Sequence, residues 1–135
     1  MTVREVLHAH IPSLTLESTL RDAVDKMDIY QFPALIILDQ DQKPIGVLTE
    51  GDICRQIQKG IKLINMPDVQ AHTIATKPAI CITPEHSLEE ALQQMIVQNL
   101  TVLPVVEDER LSGILLRVDL MQAILMKNAY PSPIA

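Results

Sequence analysis

Leu14-Thr-Leu-Glu-Ser-Thr-Leu-Arg-Asp-Ala23 returns 68 residues later as Ile82-Thr-Pro-Glu-His-Ser-Leu-Glu-Glu-Ala91. Thr15, Glu17, Leu20, Ala23 and Met27 fall on Thr83, Glu85, Leu88, Ala91 and Met95. Leu35-Ile-Ile-Leu38 then falls on Leu103-Pro-Val-Val106, after which the offset becomes 67 because the second turn is one residue shorter. Gly46-Val-Leu-Thr-Glu-Gly-Asp52 lies over Gly113-Ile-Leu-Leu-Arg-Val-Asp119, and Ile57 over Ile124. Agreement in pattern, order and spacing over some 45 positions identifies an internal repeat.

Each half reads as a β-α-β-β-α unit. Short strands near Leu14 and at Ile80 to Ile82 lead in. Ser87 with Glu90 reads as a capping box, and Thr19 with Asp22 as its weaker counterpart. Behind these caps, Leu20, Ala23, Val24 and Met27 stand at helical spacing, as do Leu88, Ala91, Leu92 and Met95, which predicts one buried face per helix. The apolar runs Leu35–Leu38 and Ile45–Leu48 flank the polar turn Asp39–Pro44, and Glu107–Arg110 occupies the same place in the second half. A second helix starts near Asp52 and ends at Gly60, a residue suited to a left-handed cap. Its twin starts near Asp119 and fades by Asn128. The expected boundaries are 1–62 for the first repeat, 63–73 for a linker, 74–130 for the second repeat and 131–135 for a tail. Units this small are marginal alone, so the two sheets are expected to pack together.

Composition narrows the class. The 135 residues hold no Trp, one Phe and two Tyr, so the core must come from aliphatic residues and Met. A net charge of −6 without a basic cluster argues against nucleic acid. No apolar run reaches the roughly 20 residues that span a bilayer, and the start lacks the apolar stretch of a secretory signal. These features predict a soluble cytoplasmic domain with no membrane insertion. Cys54 and Cys81, each beside apolar neighbours, read as buried free thiols in preference to a disulfide.

The ordered pair of units resembles a tandem of cystathionine-β-synthase (CBS) domains, a Bateman module. The resemblance rests on Ile74–Ala91, Leu103–Glu107 and Gly46–Asp52, and it covers roughly residues 3 to 127. It implies an α/β (α+β) fold with pseudo-two-fold symmetry and the two repeats packed through their sheets. It also implies a regulatory binding module and not an enzyme, taking AMP, ADP, ATP or another adenosyl compound, with no cofactor required. A homodimer is implied, together with an unknown regulated protein.

The chemistry of the matching residues agrees. A carboxylate at a helix start, Asp52, suits both ribose hydroxyls, and the helix N-terminus beside it favours phosphate. Thr49 adds a hydroxyl, and Arg55, one turn on, can reach phosphate oxygens. The plainer reading of Asp52 alone is a helix cap. Carried over by position, the partners of Asp52 are Thr76, Ile80, Leu100 and Thr101, although Ile80 and Leu100 would equally serve as core. The second cleft would use Asp119 with Arg117, His8, Pro12, Phe32 and Pro33. There Leu116 replaces the hydroxyl residue, so this cleft is expected to bind more weakly or stay empty. His8-Ala-His10 is too sparse a pattern to establish a metal site. No phosphate loop or nucleophile motif appears. The rival to ligand binding is a dimerisation or docking module that binds no small molecule.

Overall fold

In the computed structural model, residues 1–9, 11–60 and 68–129 are described. The predicted linker lies partly, and the tail wholly, outside them, as does His10. The elements are β1 (Ser13–Leu14), α1 (Leu20–Tyr30), β2 (Ala34–Leu38), β3 (Pro44–Thr49), α2 (Glu50–Gln58), α3 (Leu88–Val97), β4 (Val102–Glu107), β5 (Arg110–Leu116) and α4 (Arg117–Ala129). In the first half β1 runs parallel to β2, and β2 pairs antiparallel with β3. In the second half β4 pairs antiparallel with β5, and the lead-in strand shrinks to one parallel bridge, Ile82 to Val105.

All five residues of β2 are buried, because both faces of its sheet are covered. Leu35 and Ile37 join Leu14, Leu20, Ala23, Met27, Leu48 and Ile53 in a core under α1 and α2. Leu103, Val105 and Leu115 do the same for the second half, with Leu88, Ala91, Met95 and Leu120. Ala34, Ile36 and Leu38 turn the other way and meet Val102 and Ile114 in a central layer. The side-chain alternation of a strand thus supplies two cores at once, and the expected packing of sheet on sheet is observed.

The halves also exchange their lead-in segments. Val3 and Arg4 donate backbone bonds to the His86 and Pro84 carbonyls, at 2.9 and 3.0 Å. Symmetrically, Ala71 donates to the Ser18 carbonyl at 2.9 Å, and Leu20 to Val69 at 2.9 Å. Further along, Thr76 and Val47 exchange two backbone bonds, and so do His8 and Ile114. Arg4 adds a contact to Glu85 and an ion pair to Glu107 at 2.8 Å, and its hydrogen bond and charge hold the Glu107 carboxyl below its usual range. Each repeat is therefore completed by a segment that precedes the other.

Several local expectations change. Thr19–Asp22 is the complete capping box, each side chain accepting from the other's backbone N–H. Ser87 accepts from the Glu90 N–H, while the Glu90 carboxylate lies 3.8 Å from His86 Nε2. The Glu side chain is one methylene longer than Asp and lies toward the imidazole of His86, the residue before the cap. Val24 is exposed, because only the Leu20–Ala23–Met27 line of α1 faces the sheet. Both cysteines are free and exposed, not buried. Cys54 follows the buried Ile53 on the outer face of α2, and Cys81 alternates with the buried Ile82 in extended chain. Partial enclosure still pushes the Cys81 thiol pKa up.

α2 gives way to Gly60 at φ 99°, as its sequence suggested. α1 ends instead on Gln31 at φ 55°, and α3 is followed by Asn99 at φ 52°. Gln is a poor left-handed residue, whereas Gly carries no Cβ penalty there. Gln31→Gly is expected to stabilise the fold by about 0.5–1 kcal/mol, read as a rise of a few degrees in the thermal midpoint.

Candidate functional site

A cavity of about 430 Å³ opens between the halves, within the size range of small-ligand sites. Its walls include all seven residues expected of the main cleft: Thr49, Asp52, Arg55, Thr76, Ile80, Leu100 and Thr101. The exchange of lead-in segments causes this. Thr76 is tied to Val47 by backbone bonds of 2.9 and 3.0 Å, which lays the Thr76–Ile80 chain across the start of α2. The α3–β4 connection supplies Asn99, Leu100 and Thr101 from the opposite side.

Thr49 is the N-cap of α2. Its hydroxyl accepts from the Asp52 N–H at 3.1 Å, and its own N–H donates to Asp52 Oδ2 at 2.9 Å. The second oxygen, Oδ1, accepts from Arg55 Nη2 at 2.6 Å. Asp52 is almost fully buried, whereas the Arg55 side chain is 63% exposed. The capping reading of Asp52 therefore holds, and so does its place in the cleft. Only one carboxylate oxygen belongs to the cap, and the other faces a mobile-length guanidinium. Gly51 leaves room for that guanidinium, since a Cβ there would stand 3.1 Å from Arg55 Nη1.

The second group is assembled only in part. Asp119 and His8 meet as expected, with Oδ2 2.7 Å from His8 Nε2, so the imidazole holds one oxygen of the carboxylate. Arg117 points elsewhere, donating from Nε to the Leu100 carbonyl at 2.6 Å and from Nη2 toward Asn99 Oδ1 at 3.5 Å. It braces the wall of the main cleft. Pro33 also lines the main cavity, because its carbonyl accepts from the Glu50 N–H at 3.0 Å and seats it over the start of α2. Phe32 packs half-buried on the central layer, and Pro12 is half-buried just before β1. Pro78, Asn99 and Gly51 also border the main cavity, and sequence reading had not placed them. Each lies close in sequence to an expected site residue: Gly51 beside Asp52, Asn99 beside Leu100, and Pro78 between Thr76 and Ile80.

A wider depression of about 740 Å³ lies beside it, sharing Pro78 and reaching Cys81, His86 and Lys43. Among the described residues no group of three or more His, Cys, Asp or Glu is placed to hold a metal. No helix among them is long and apolar enough to cross a membrane.

A sequence profile of the CBS domain matches residues 3–59 and 71–126. The chain belongs to the CBS domain family. Its fold is that of a tandem CBS pair. A CBS-domain protein from Burkholderia ambifaria superposes with a TM-score of 0.84 at 22% identity, over 96% of this chain and 98% of that one. The structure of CBSX2 in complex with AMP gives 0.80 at 21% identity, covering 94% and 98%. Inosine-5'-monophosphate dehydrogenase of Methanocaldococcus jannaschii is 28% identical over 128 residues, 94% of this chain but 23% of that enzyme. Arabinose 5-phosphate isomerase of Yersinia pestis is 25% identical over 125 residues, 91% of this chain and 37% of its own length. The CBS pair is thus a minor part of the relatives named as enzymes, whose names describe larger proteins.

Proposed function

We propose that this CBS pair is a regulatory sensor that binds an adenine nucleotide or related adenosyl compound in the Asp52 cleft and signals to a separate protein. It carries out no catalysis in this reading. The observation that carries the proposal is the cavity itself, lined by Thr49, Asp52 and Arg55 together with Thr76, Ile80, Leu100 and Thr101. A carboxylate oxygen for the ribose hydroxyls, a helix N-terminus and guanidinium for phosphate, and aliphatic faces for the base form one set. The AMP in the CBSX2 complex supports it. Residues 1–62 and 74–130 act as the two repeats, joined by 63–73, with 131–135 as a tail.

Asp119 is held by His8, Leu116 offers no hydroxyl, and Gln122 stands where the first repeat has Arg55. One ligand per chain follows. A homodimer belongs to this reading. Its contact is assigned to Ile57, Met121 and Leu125, which are exposed, and not to Ile53 or Leu120, which are core.

The test is a thermal-shift screen with AMP, ADP, ATP, NAD, S-adenosylmethionine and cyclic dinucleotides. A ligand at a hundred times its Kd stabilises the fold by about 2.7 kcal/mol, a shift of several degrees. Calorimetry is expected to give one site per chain. No shift with any of these compounds would leave the docking-only module as the better reading.

A further inference from the structure

We propose that Arg55 is a latch on the cleft that selects nucleoside monophosphates, opening when a phosphate replaces Asp52 as its partner. The inference rests on the Asp52 cleft being the ligand site. Asp52 Oδ2 already accepts from the Thr49 N–H of the helix cap, which makes Oδ1 the oxygen more open to a ribose diol. That oxygen accepts from Arg55 Nη2 at 2.6 Å, so a diol that donates both hydroxyls to it displaces the guanidinium. The move is sterically open. Arg55 is 63% exposed, its stem is long, and Gly51 beneath it has no side chain to obstruct the swing.

What the displaced guanidinium meets decides which ligand is taken. A nucleoside breaks the ion pair and returns nothing to the cation. A 5'-phosphate on the same ribose restores a charge-assisted partner, so the exchange conserves one strong pairing while the ribose gains another. Arg55 is the one cationic side chain among the described residues lining the cavity, against the two carboxylates of Asp52 and Glu50. Arg117, behind the wall, is already engaged with the oxygens of Leu100 and Asn99. One cation matches one phosphate. Additional phosphates would face Glu50 without a positive partner, and like charges repel.

The test is calorimetry of adenosine, AMP and magnesium-free ATP against the wild-type chain and Arg55→Gln. Wild type is expected to bind AMP at least tenfold tighter than adenosine and ATP no tighter than AMP. In Arg55→Gln the lost ion pair releases Asp52, and adenosine binding tightens by roughly two- to fivefold. AMP weakens by roughly ten- to a hundredfold in the same variant. Opposite signs for the two ligands are the signature of the latch. An equal change for both, or ATP bound much tighter than AMP by wild type, overturns it. Failure of wild type to bind any of the three also overturns the latch, and the cleft reading falls with it only if NAD, S-adenosylmethionine and the cyclic dinucleotides give no thermal shift either.

Discussion

Gly113→Ala is expected to destabilise the fold by about 2–4 kcal/mol, from overpacking and the loss of up to two backbone hydrogen bonds. A Cβ at this position would stand 2.6 Å from the His8 carbonyl oxygen and 2.5 Å from Leu7 Cδ1. The leucine tip can rotate away, but the carbonyl cannot. His8 and Ile114 are locked to each other by backbone bonds of 2.9 and 3.0 Å, so the crossing segment must detach or the strand must bend. Gly46 occupies the equivalent crossing in the first repeat, yet its Cβ would meet Thr76 O at 3.1 Å and Lys77 Cγ at 3.2 Å. A shift of a few tenths of an ångström relieves that, so Gly46→Ala is expected to cost about 1 kcal/mol or less. Urea denaturation of both variants checks the order. Gly113→Ala within about 0.5 kcal/mol of wild type would show that the crossing yields far more easily than its hydrogen bonds imply. Neither glycine needs its unusual backbone freedom here; what each supplies is space.

Those two glycines were visible in the sequence as matched members of the repeat, but the reason for them was not. The repeat located both helices of each half, the hairpins and the Thr49–Asp52 pair, because it reports local patterns that occur twice, while Thr76, Ile80, Leu100 and Thr101 came from the resemblance to CBS domains. It could not report which segment crosses which. The exchange of lead-in chains is a relation between halves, and no periodicity within one half encodes it. Pro33 was misplaced for this reason: its position follows from its bond to Glu50, a tertiary contact. Burial at the edge of a helical face was equally hidden. Val24 and Leu92 occupy matching positions, yet Val24 is exposed and Leu92 packs against the second core, since their neighbours differ. The divergence at Leu116 was visible in the repeat, but the contact of the His8 imidazole with Asp119 was not, since it joins side chains 111 residues apart.

The Asp52 test has to separate two duties of one carboxylate, and Asp52→Asn does so better than Asp52→Ala. Asn keeps an oxygen that can accept from the Thr49 N–H, so most of the cap survives. Ala removes that acceptor and the partner of Arg55 together. Loss of a cap typically costs about 1 kcal/mol, so the apo protein should weaken by that amount in Asp52→Ala and by less in Asp52→Asn. Ligand response should instead fall in both. Removing a charged acceptor from the ribose weakens binding by roughly ten- to a hundredfold. At a ligand concentration a hundred times the wild-type Kd, the stabilisation then drops from about 2.7 kcal/mol to about 0.4–1.4 kcal/mol. Thermal melts with and without nucleotide resolve the two effects, because one shifts the apo midpoint and the other shrinks the increment. If Asp52→Asn keeps the full increment, the carboxylate is a cap and nothing more. If both variants lose it while Asp52→Asn retains a near-native apo midpoint, the carboxylate charge serves the ligand and the hydrogen bond from the Thr49 N–H serves the helix.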